Sequence, residues 1–313
     1  MKNHRYQLTL DKMKRIFTIL AFLLCVLMVN AQGIIVRKSS QKQPTTQTTT
    51  ATKKQTAKTT PAKKTSAPAP TIGSSFYTPT VKTYEINGVS FQMVEVRGGT
   101  FTMGATSEQR SYAKDDEKPA HSVTLSSYYI GKTEVTQELW QAVMGNNPSR
   151  FKGNRKPVEC VSWDDCQTFI SKLNSLTGKK FRLPTEAEWE FAARGGIKSQ
   201  GYKYSGSNTL GDVAWYEENS GDTTHDVGTK SPNELGLYDM NGNVWEWCSD
   251  WYGDKYYSSS PSNHPTGPSS GAYRVLRGGS WYSIANLCRS SDRGGSTPVD
   301  RGDNMGLRLC LSE

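Results

Sequence analysis

Apolar residues recur at helical spacing in three segments of the chain, and each segment carries the signals that begin a helix. The first predicted helix follows Thr136, a residue type that caps helix N-termini, and ends at Gly145. The second follows Ser162, and the third follows Thr185, which forms a capping box with Glu188. The pattern therefore predicts three helices in the middle of the chain.

Short apolar runs bounded by glycine, asparagine or proline predict strands. They lie at 91–96, 100–103, 121–129, 243–248, 273–277 and 305–311. Together with three helices and long stretches that have no periodicity, they predict an α+β domain with much irregular structure. We place this domain at residues 84–313.

The first 83 residues carry no pattern that would build a core. A basic start at Lys12, Lys14 and Arg15 precedes an apolar run at 16–29 and small residues at the cleavage positions 29–31, which predicts a signal peptide at 1–31. An uncleaved anchor is the alternative. Residues 32–83 are rich in Thr, Lys and Pro and predict a disordered basic tether. The protein is therefore expected to be exported to the periplasm, cell surface or medium.

The formal net charge of +9 is unevenly distributed. Residues 1–80 hold 13 basic side chains and one acid, which leaves 25 basic and 28 acidic side chains, a net charge of −3, for residues 81–313. The basic tether suits an anionic membrane or envelope surface, or its lysines only keep it soluble. The acidic domain gives no indication of nucleic-acid binding.

Five cysteines lie in the predicted domain: Cys160, Cys166, Cys248, Cys288 and Cys310. An oxidising compartment would permit disulfides, and an odd count leaves at least one thiol unpaired within the chain. The spacings of zinc fingers and of HExxH metalloproteases are absent from the sequence.

Several motifs resemble one family, in order along the chain. They include RLPTEAEWE at 182–190, GLYDMNGNVWEW at 236–247, RGGSW at 277–281 and GLR at 306–308. The domain resembles the formylglycine-generating enzyme (sulfatase-modifying factor) family, which is related to the C-type lectin fold. The resemblance implies that fold, and it implies copper-dependent oxidation of a sulfatase cysteine to formylglycine as the family activity.

In the family, two cysteine thiolates hold Cu(I). Counting from Ser280, their positions here are Ser283 and Cys288. A hydroxyl is a poor ligand for Cu(I), so we expect the chain to lack the first copper cysteine and not to bind copper. Cys288 is the one candidate catalytic residue that the resemblance leaves; the alternative is a small buried apolar residue or half of a disulfide.

The resemblance also implies a calcium loop. Its ligands here would be backbone carbonyls and one carboxylate, at Asn241, Gly242, Val244 and Glu246, and oxygen ligands are those that Ca²⁺ prefers. The alternative is a plain turn in which Glu246 pairs with an arginine. The arginines of the last forty residues could bind an anion, but pairing with acids of the domain is the interpretation we favour.

The stretch at 282–304 alternates residues that look fixed with small or polar ones. It resembles the variable C-terminus of lectin-fold proteins that retroelements diversify; an ordinary family member with a drifted surface is the alternative. We expect this surface to bind a protein or glycan ligand, through Tyr282, Ser283, Ile284 and Asn286. Three functions remain open: an exported, non-catalytic binding module, a formylglycine-generating oxidase, and a structural component of the cell envelope in gliding or secretion.

Overall fold

The computed structural model of the chain describes residues 77–109 and 112–312. The predicted signal peptide at 1–31 and the tether up to residue 76 lie outside the described residues. The first strand begins at Val81, so the predicted domain boundary at residue 84 falls inside a strand.

In the described residues, eleven short strands form three sheets. In chain order they are β1 (Val81–Ile86), β2 (Val89–Val96), β3 (Gly99–Met103), β4 (His121–Leu125), β5 (Tyr128–Gly131), β6 (Phe181–Arg182), β7 (Trp245–Trp251), β8 (Arg274–Arg277), β9 (Arg293–Ser296), β10 (Met305–Gly306) and β11 (Cys310–Leu311). The sheets have the orders β1-β2-β5-β11-β6, β10-β7-β8-β9 and β3-β4. The single strand predicted at 121–129 is two strands, which belong to different sheets.

The three predicted helices are confirmed. They are α1 (Gln137–Met144), α2 (Trp163–Thr177) and α3 (Glu186–Ala193), and a fourth helix of one turn, α4 (Leu210–Val213), was not predicted. The hydroxyls of Thr136, Ser162 and Thr185 each accept a hydrogen bond from a backbone N–H of the first turn, as N-cap residues do. Gly145 ends α1 in the left-handed conformation. The fold is the mixed α+β class that the sequence predicted.

The core is assembled from the faces that these elements turn inward. Helices α1 and α2 pack against each other through Trp140 and Phe169, whose rings stack with centroids 4.8 Å apart. All of α3 is buried, including Trp189 and Phe191. This helix contacts β7 and β8 and so joins the four-stranded sheet to the rest of the domain.

Buried ion pairs fix the C-terminal residues to acids far earlier in the chain. Arg293 donates to both oxygens of Glu186, at 2.6 and 2.8 Å, and Arg289 donates to both oxygens of Glu117, at 2.6 and 2.7 Å. Arg277 bonds to the carboxylate of Glu190. The favoured interpretation, that the C-terminal arginines pair with acids of the domain, is confirmed for these three and for Arg301 and Arg308. Arg274 instead donates to the carbonyl of Ser249 at 2.6 Å.

The cysteines predicted to lie in the domain are all described, and none of them forms a disulfide. Among the described residues, no helix has the length and apolar character that a membrane crossing would require.

Candidate functional site

The loop that follows β8 alternates between buried and exposed side chains. Trp281 and Ser283 are buried, whereas the side chains of Tyr282 and Ile284 are 46% and 52% exposed. Large apolar side chains that are half exposed on one short loop form a contact surface that a ligand can cover. We call Tyr282 and Ile284 the display pair.

Hydrogen bonds hold the buried members of this loop. The Trp281 indole Nε1–H donates to the carbonyl of Asp303 at 2.9 Å, and the Trp281 carbonyl accepts from the Ser220 hydroxyl at 2.8 Å. Ser283 Oγ accepts the backbone N–H of Ser280 at 3.0 Å. The exposed positions between them are therefore set by a fixed backbone.

A second loop, at 214–224, lies beside the display pair. The Glu217 N–H donates to the carbonyl of Ser283 at 3.1 Å, which joins the two loops through their backbones. Glu217 and Glu218 are both exposed, and neither forms an ion pair with any residue in the described ranges. The Glu218 carboxylate accepts the Tyr216 hydroxyl at 2.9 Å.

Aromatic and charged side chains border the other flank of the display pair. The ring of Trp281 packs between Tyr282, at a centroid distance of 5.3 Å, and Phe151, at 5.2 Å. The Arg150 guanidinium lies 5.1 Å from the Phe151 ring and pairs with the Asp303 carboxylate. Arg150, Phe151 and the 214–224 loop were not predicted as part of this surface, because they are remote from 282–304 along the chain.

The other residues of the predicted ligand surface differ in their exposure to solvent. Ser283, predicted to bind ligand, is buried, so its side chain contributes to the loop and not to the exposed surface. Asn286 is half-buried in a single 3-10 turn, Ala285–Cys288, and its carbonyl accepts from Arg289 Nε at 2.9 Å. Residues 288–293 are buried, and exposure returns at Gly295, Val299 and Arg301.

Ser283 and Cys288, the two positions that the resemblance assigns to copper, are both buried. The Ser280 N–H donates to Ser283 Oγ, and the same amide acts on the Cys288 thiol. Burial and the charge of Asp292 raise the pKa of Cys288, although the amides of Ser280 and Gly242 oppose this effect. A protonated thiol beside a hydroxyl does not fit Cu(I), which prefers thiolates. We therefore derive no chemistry through copper.

The predicted calcium loop packs beneath the same surface. The Glu246 carboxylate accepts Arg308 Nη2 and Trp189 Nε1, each at 2.6 Å, through different oxygens. Glu246 is thus already neutralised and does not fit as a free calcium ligand; the alternative, pairing with an arginine, is what the structure contains. The backbone carbonyls of Asn241, Gly242 and Val244 stay predicted ligands.

The predicted calcium loop also supports the turn that contains Cys288. Asn241 Nδ2 donates to the Cys288 carbonyl at 2.7 Å, and Asn241 Oδ1 accepts the Ser205 N–H at 2.6 Å. Gly242 has a φ of 76°, and a Cβ atom there would lie 2.2 Å from the carbonyl oxygen of Trp215. Only glycine allows this approach.

A cleft of about 390 Å³ opens between β2, α1 and the segment at 227–238. Lys132, Glu134, Arg155 and Tyr238 contribute to its lining. None of the residues predicted to bind copper, calcium or a surface ligand lines it, so the cleft and the display pair are separate features.

The fold agrees with what comparison with known proteins finds. A family model described as the sulfatase-modifying factor enzyme 1-like domain matches residues 80–312. The chain belongs to this family. The formylglycine-generating enzyme of Streptomyces coelicolor is 32% identical over 281 residues, which cover 69% of this chain and 87% of that protein.

Other relatives of the sulfatase-modifying factor domain have different names. The chaperone protein LppX of Paenibacillus barcinonensis is 35% identical over 275 residues, 72% of this chain and 91% of that protein. Among solved structures, Treponema denticola variable protein 1 is 38% identical with a TM-score of 0.69, and the match covers 75% of this chain and all of that one. PvdO from Pseudomonas aeruginosa is 29% identical with a TM-score of 0.64, over 74% of this chain and 98% of its own.

Proposed function

We propose that this chain is an exported, non-catalytic binding module that presents the surface around Tyr282 and Ile284 to a protein or glycan ligand. The observation that carries the proposal is the in-and-out alternation of residues 281–284 on a loop held by hydrogen bonds. A contact surface fixed before binding loses little conformational entropy when the ligand arrives. Aromatic side chains in such a position supply much of the energy of an interface.

Two similarities support this proposal over the oxidase. The solved relative with 38% identity is named a variable protein, a name in keeping with exchangeable surface residues on a constant scaffold. The relative with 35% identity is named a chaperone, and a chaperone acts by binding another protein, which favours a protein ligand here.

The oxidase is the weaker candidate, although relatives named as formylglycine-generating enzymes match this chain. Cys288 is fully buried with a raised pKa, and the residue counted as its partner is Ser283. Nucleophilic and metal-binding cysteines act as thiolates, and burial disfavours the thiolate.

The test compares two pairs of substitutions that have similar exposure. Tyr282→Ala with Ile284→Ala removes the display pair; Tyr273→Ala with Ile197→Ala removes a tyrosine that is 49% exposed and an isoleucine that is 47% exposed elsewhere. The purified chain and both variants are used to capture ligands from envelope fractions and from glycan arrays. We expect a ligand that the unchanged chain and the control variant retain and the display-pair variant loses. Equal capture by all three would contradict the proposal.

A further inference from the structure

The display pair is bordered by negative charge that has no counter-ion within the domain. Glu217 and Glu218 are exposed, and the described residues provide neither with an ion pair. Asp222, on the same loop, is also exposed and likewise takes part in no ion pair with the described residues. The loop that touches the display loop is therefore acidic.

Cations that reach these two loops are already engaged. Arg150 pairs with Asp303 behind Trp281. The Lys156 ammonium donates to Thr223 Oγ1 at 3.1 Å and to the carbonyl of Thr224 at 2.7 Å, at the far end of the acidic loop. Lys230 also reaches the acidic loop, where its ammonium lies 4.0 Å from the Trp215 ring and donates to the carbonyl of Gly211 at 2.8 Å. None of these three cations forms an ion pair with Glu217 or Glu218, so an acidic edge remains beside two apolar side chains.

The acidic loop holds its shape through its own contacts. Asn219 Oδ1 accepts the Tyr216 N–H at 2.8 Å, and Asn219 Nδ2 donates to the carbonyl of Ala214 at 2.9 Å. The Ser220 hydroxyl and the Glu217 N–H attach the loop to Trp281 and Ser283. The backbones that carry the carboxylates and the display pair are therefore joined in one surface.

We infer that the ligand is a polypeptide segment that carries a lysine or arginine next to an apolar residue, with the apolar side chain on Tyr282 and Ile284 and the cation at Glu217 and Glu218. This inference rests on the proposed function and names the partner. Complementary charge at the rim of an apolar contact gives specificity and speeds association. The surface is a pair of loops outside the cleft, which suits a polypeptide better than a small molecule, since small molecules bind in concave sites.

The test is a selection of random 12-residue peptides displayed on phage, with the immobilised full chain as the target. We expect the selected sequences to be enriched in lysine or arginine adjacent to an aliphatic or aromatic residue. Selected peptides are then synthesised, and their affinities are measured by fluorescence anisotropy at low and high salt. A selection that yields no peptide above background, or peptides without a preference for cations, would overturn the inference.

Three variants separate the inference from the function on which it rests. Glu217→Gln with Glu218→Gln keeps the shape and an acceptor for Tyr216, and should weaken a selected peptide roughly fivefold and reduce its salt dependence, as expected for two exposed charge pairs. Glu85→Gln with Asp254→Asn removes two exposed acids elsewhere and should leave binding unchanged. Tyr282→Ala with Ile284→Ala should abolish it.

The outcomes are distinct. If the display-pair variant loses the peptide but the Glu217 and Glu218 variant binds as tightly as the unchanged chain, the binding function stands and the inferred chemistry of the partner is wrong. If the display-pair variant binds the peptide unchanged, the proposed function itself fails. Melting temperatures of all variants within about 2 °C of the unchanged chain show that each has folded; exposed substitutions cost about 0.5 kcal/mol or less.

Discussion

Glu246 shows how a single residue can match a motif and still take a different role. The family resemblance predicts a calcium ligand at this position, but the Glu246 carboxylate lies between Arg308 and Trp189 in the buried core. A carboxylate that is paired and hydrogen-bonded in this way is held mainly for the fold, because removal of its charge leaves the arginine buried without a counter-ion.

We therefore expect Glu246→Gln to destabilise the domain by about 3–5 kcal/mol in the presence of a calcium chelator, which is the usual cost of breaking a buried pair. Denaturant unfolding measures this free energy. The loss should be the same in millimolar calcium if only backbone carbonyls hold the ion. A variant that unfolds like the unchanged chain in chelator, and differs only in calcium, would show that Glu246 is a ligand after all.

A second prediction at this scale concerns calcium itself. If the carbonyls of Asn241, Gly242 and Val244 bind the ion, the unchanged chain gains RT ln(1 + [L]/Kd) of stability, about 2.7 kcal/mol at a hundred times Kd. The melting temperature should therefore rise between chelator and millimolar calcium, and magnesium serves as the control. Equal melting temperatures in all three conditions would leave the segment as a plain turn.

Cys288 leads to a prediction about chemistry. Incubation of the chain with Cu(I), oxygen and a cysteine-containing sulfatase peptide should produce no aldehyde above the level without protein, because the thiol is buried and Ser283 supplies no second thiolate. Mass spectrometry detects the product. The relative from Streptomyces coelicolor is the positive control, and aldehyde formed by this chain at a comparable rate would restore the oxidase as its function.

At the scale of elements, a helix or strand can be predicted from the sequence when the contacts that form it are made between residues close together in the chain. The three helices could be predicted because their caps are made within four residues, as the Thr185 and Glu188 capping box illustrates. Strand β1 was missed although its signal is local, since it pairs with β2 across the two-residue turn Asn87-Gly88. Strand β9 was missed for the opposite reason. Strand β9 has the sequence RGGS, which has no apolar alternation, and it exists because β8 pairs with it.

One contact between elements makes stability depend on pH. Asp250 on β7 is buried, and its Oδ2 accepts the N–H of Glu186 at the start of α3, at 3.0 Å. Burial, together with the charge of Glu186, raises the pKa of Asp250 to about 7. The folded chain therefore binds a proton on the Asp250 carboxyl more tightly than the unfolded chain does. The stability that the protonated carboxyl contributes below pH ~4 is lost as the pH rises toward 7.

Asp250→Asn should remove this loss, because asparagine is neutral and keeps an oxygen that can accept the Glu186 N–H. Relative to the unchanged chain, the free energy of unfolding of the variant should increase by roughly 4 kcal/mol between pH 4 and pH 8, since each pKa unit corresponds to about 1.4 kcal/mol. Urea unfolding across this range measures it. Asp254→Asn, an exposed position nearby, is the control. A difference between Asp250→Asn and the unchanged chain that is constant with pH would refute the argument.

At the scale of the whole molecule, the site is assembled from segments that are distant in sequence. The display pair at 282–284 was predicted as a candidate from the sequence, but its neighbours Phe151, Glu217 and Glu218 were not. Their proximity depends on how the sheets and loops are arranged in space, which the pattern of apolar and polar residues does not indicate. The same limit applies to the partners of the buried arginines. Pairing with acids of the domain could be predicted from the sequence, but the specific pair of Arg289 with Glu117, 172 residues away, could not.

The last residues of the domain lie in its core. Strand β11 lies between β5 and β6 in the five-stranded sheet, and Leu307 and Leu309 are buried in the core. Arg308 donates to the carbonyls of Gly131 and Tyr238 as well as to Glu246. These residues make few local contacts. Strand β11 and Arg308 instead bond to segments that lie much earlier in the chain.

A chain that ends at Gly306 should consequently fail to fold, and not simply lose a terminus. Removal of Arg308 leaves Glu246 without its partner at about 3–5 kcal/mol, and loss of Leu307 and Leu309 adds about 2 kcal/mol or more for each. The sum matches the whole stability of an ordinary domain, about 5–15 kcal/mol. Near-ultraviolet circular dichroism and calorimetry should show no cooperative transition, whereas a control chain that ends at Leu311 keeps β11 and should unfold cooperatively. A cooperative transition in the chain ending at Gly306, with a melting temperature near that of the control, would mean that β11 and Arg308 are peripheral to the fold.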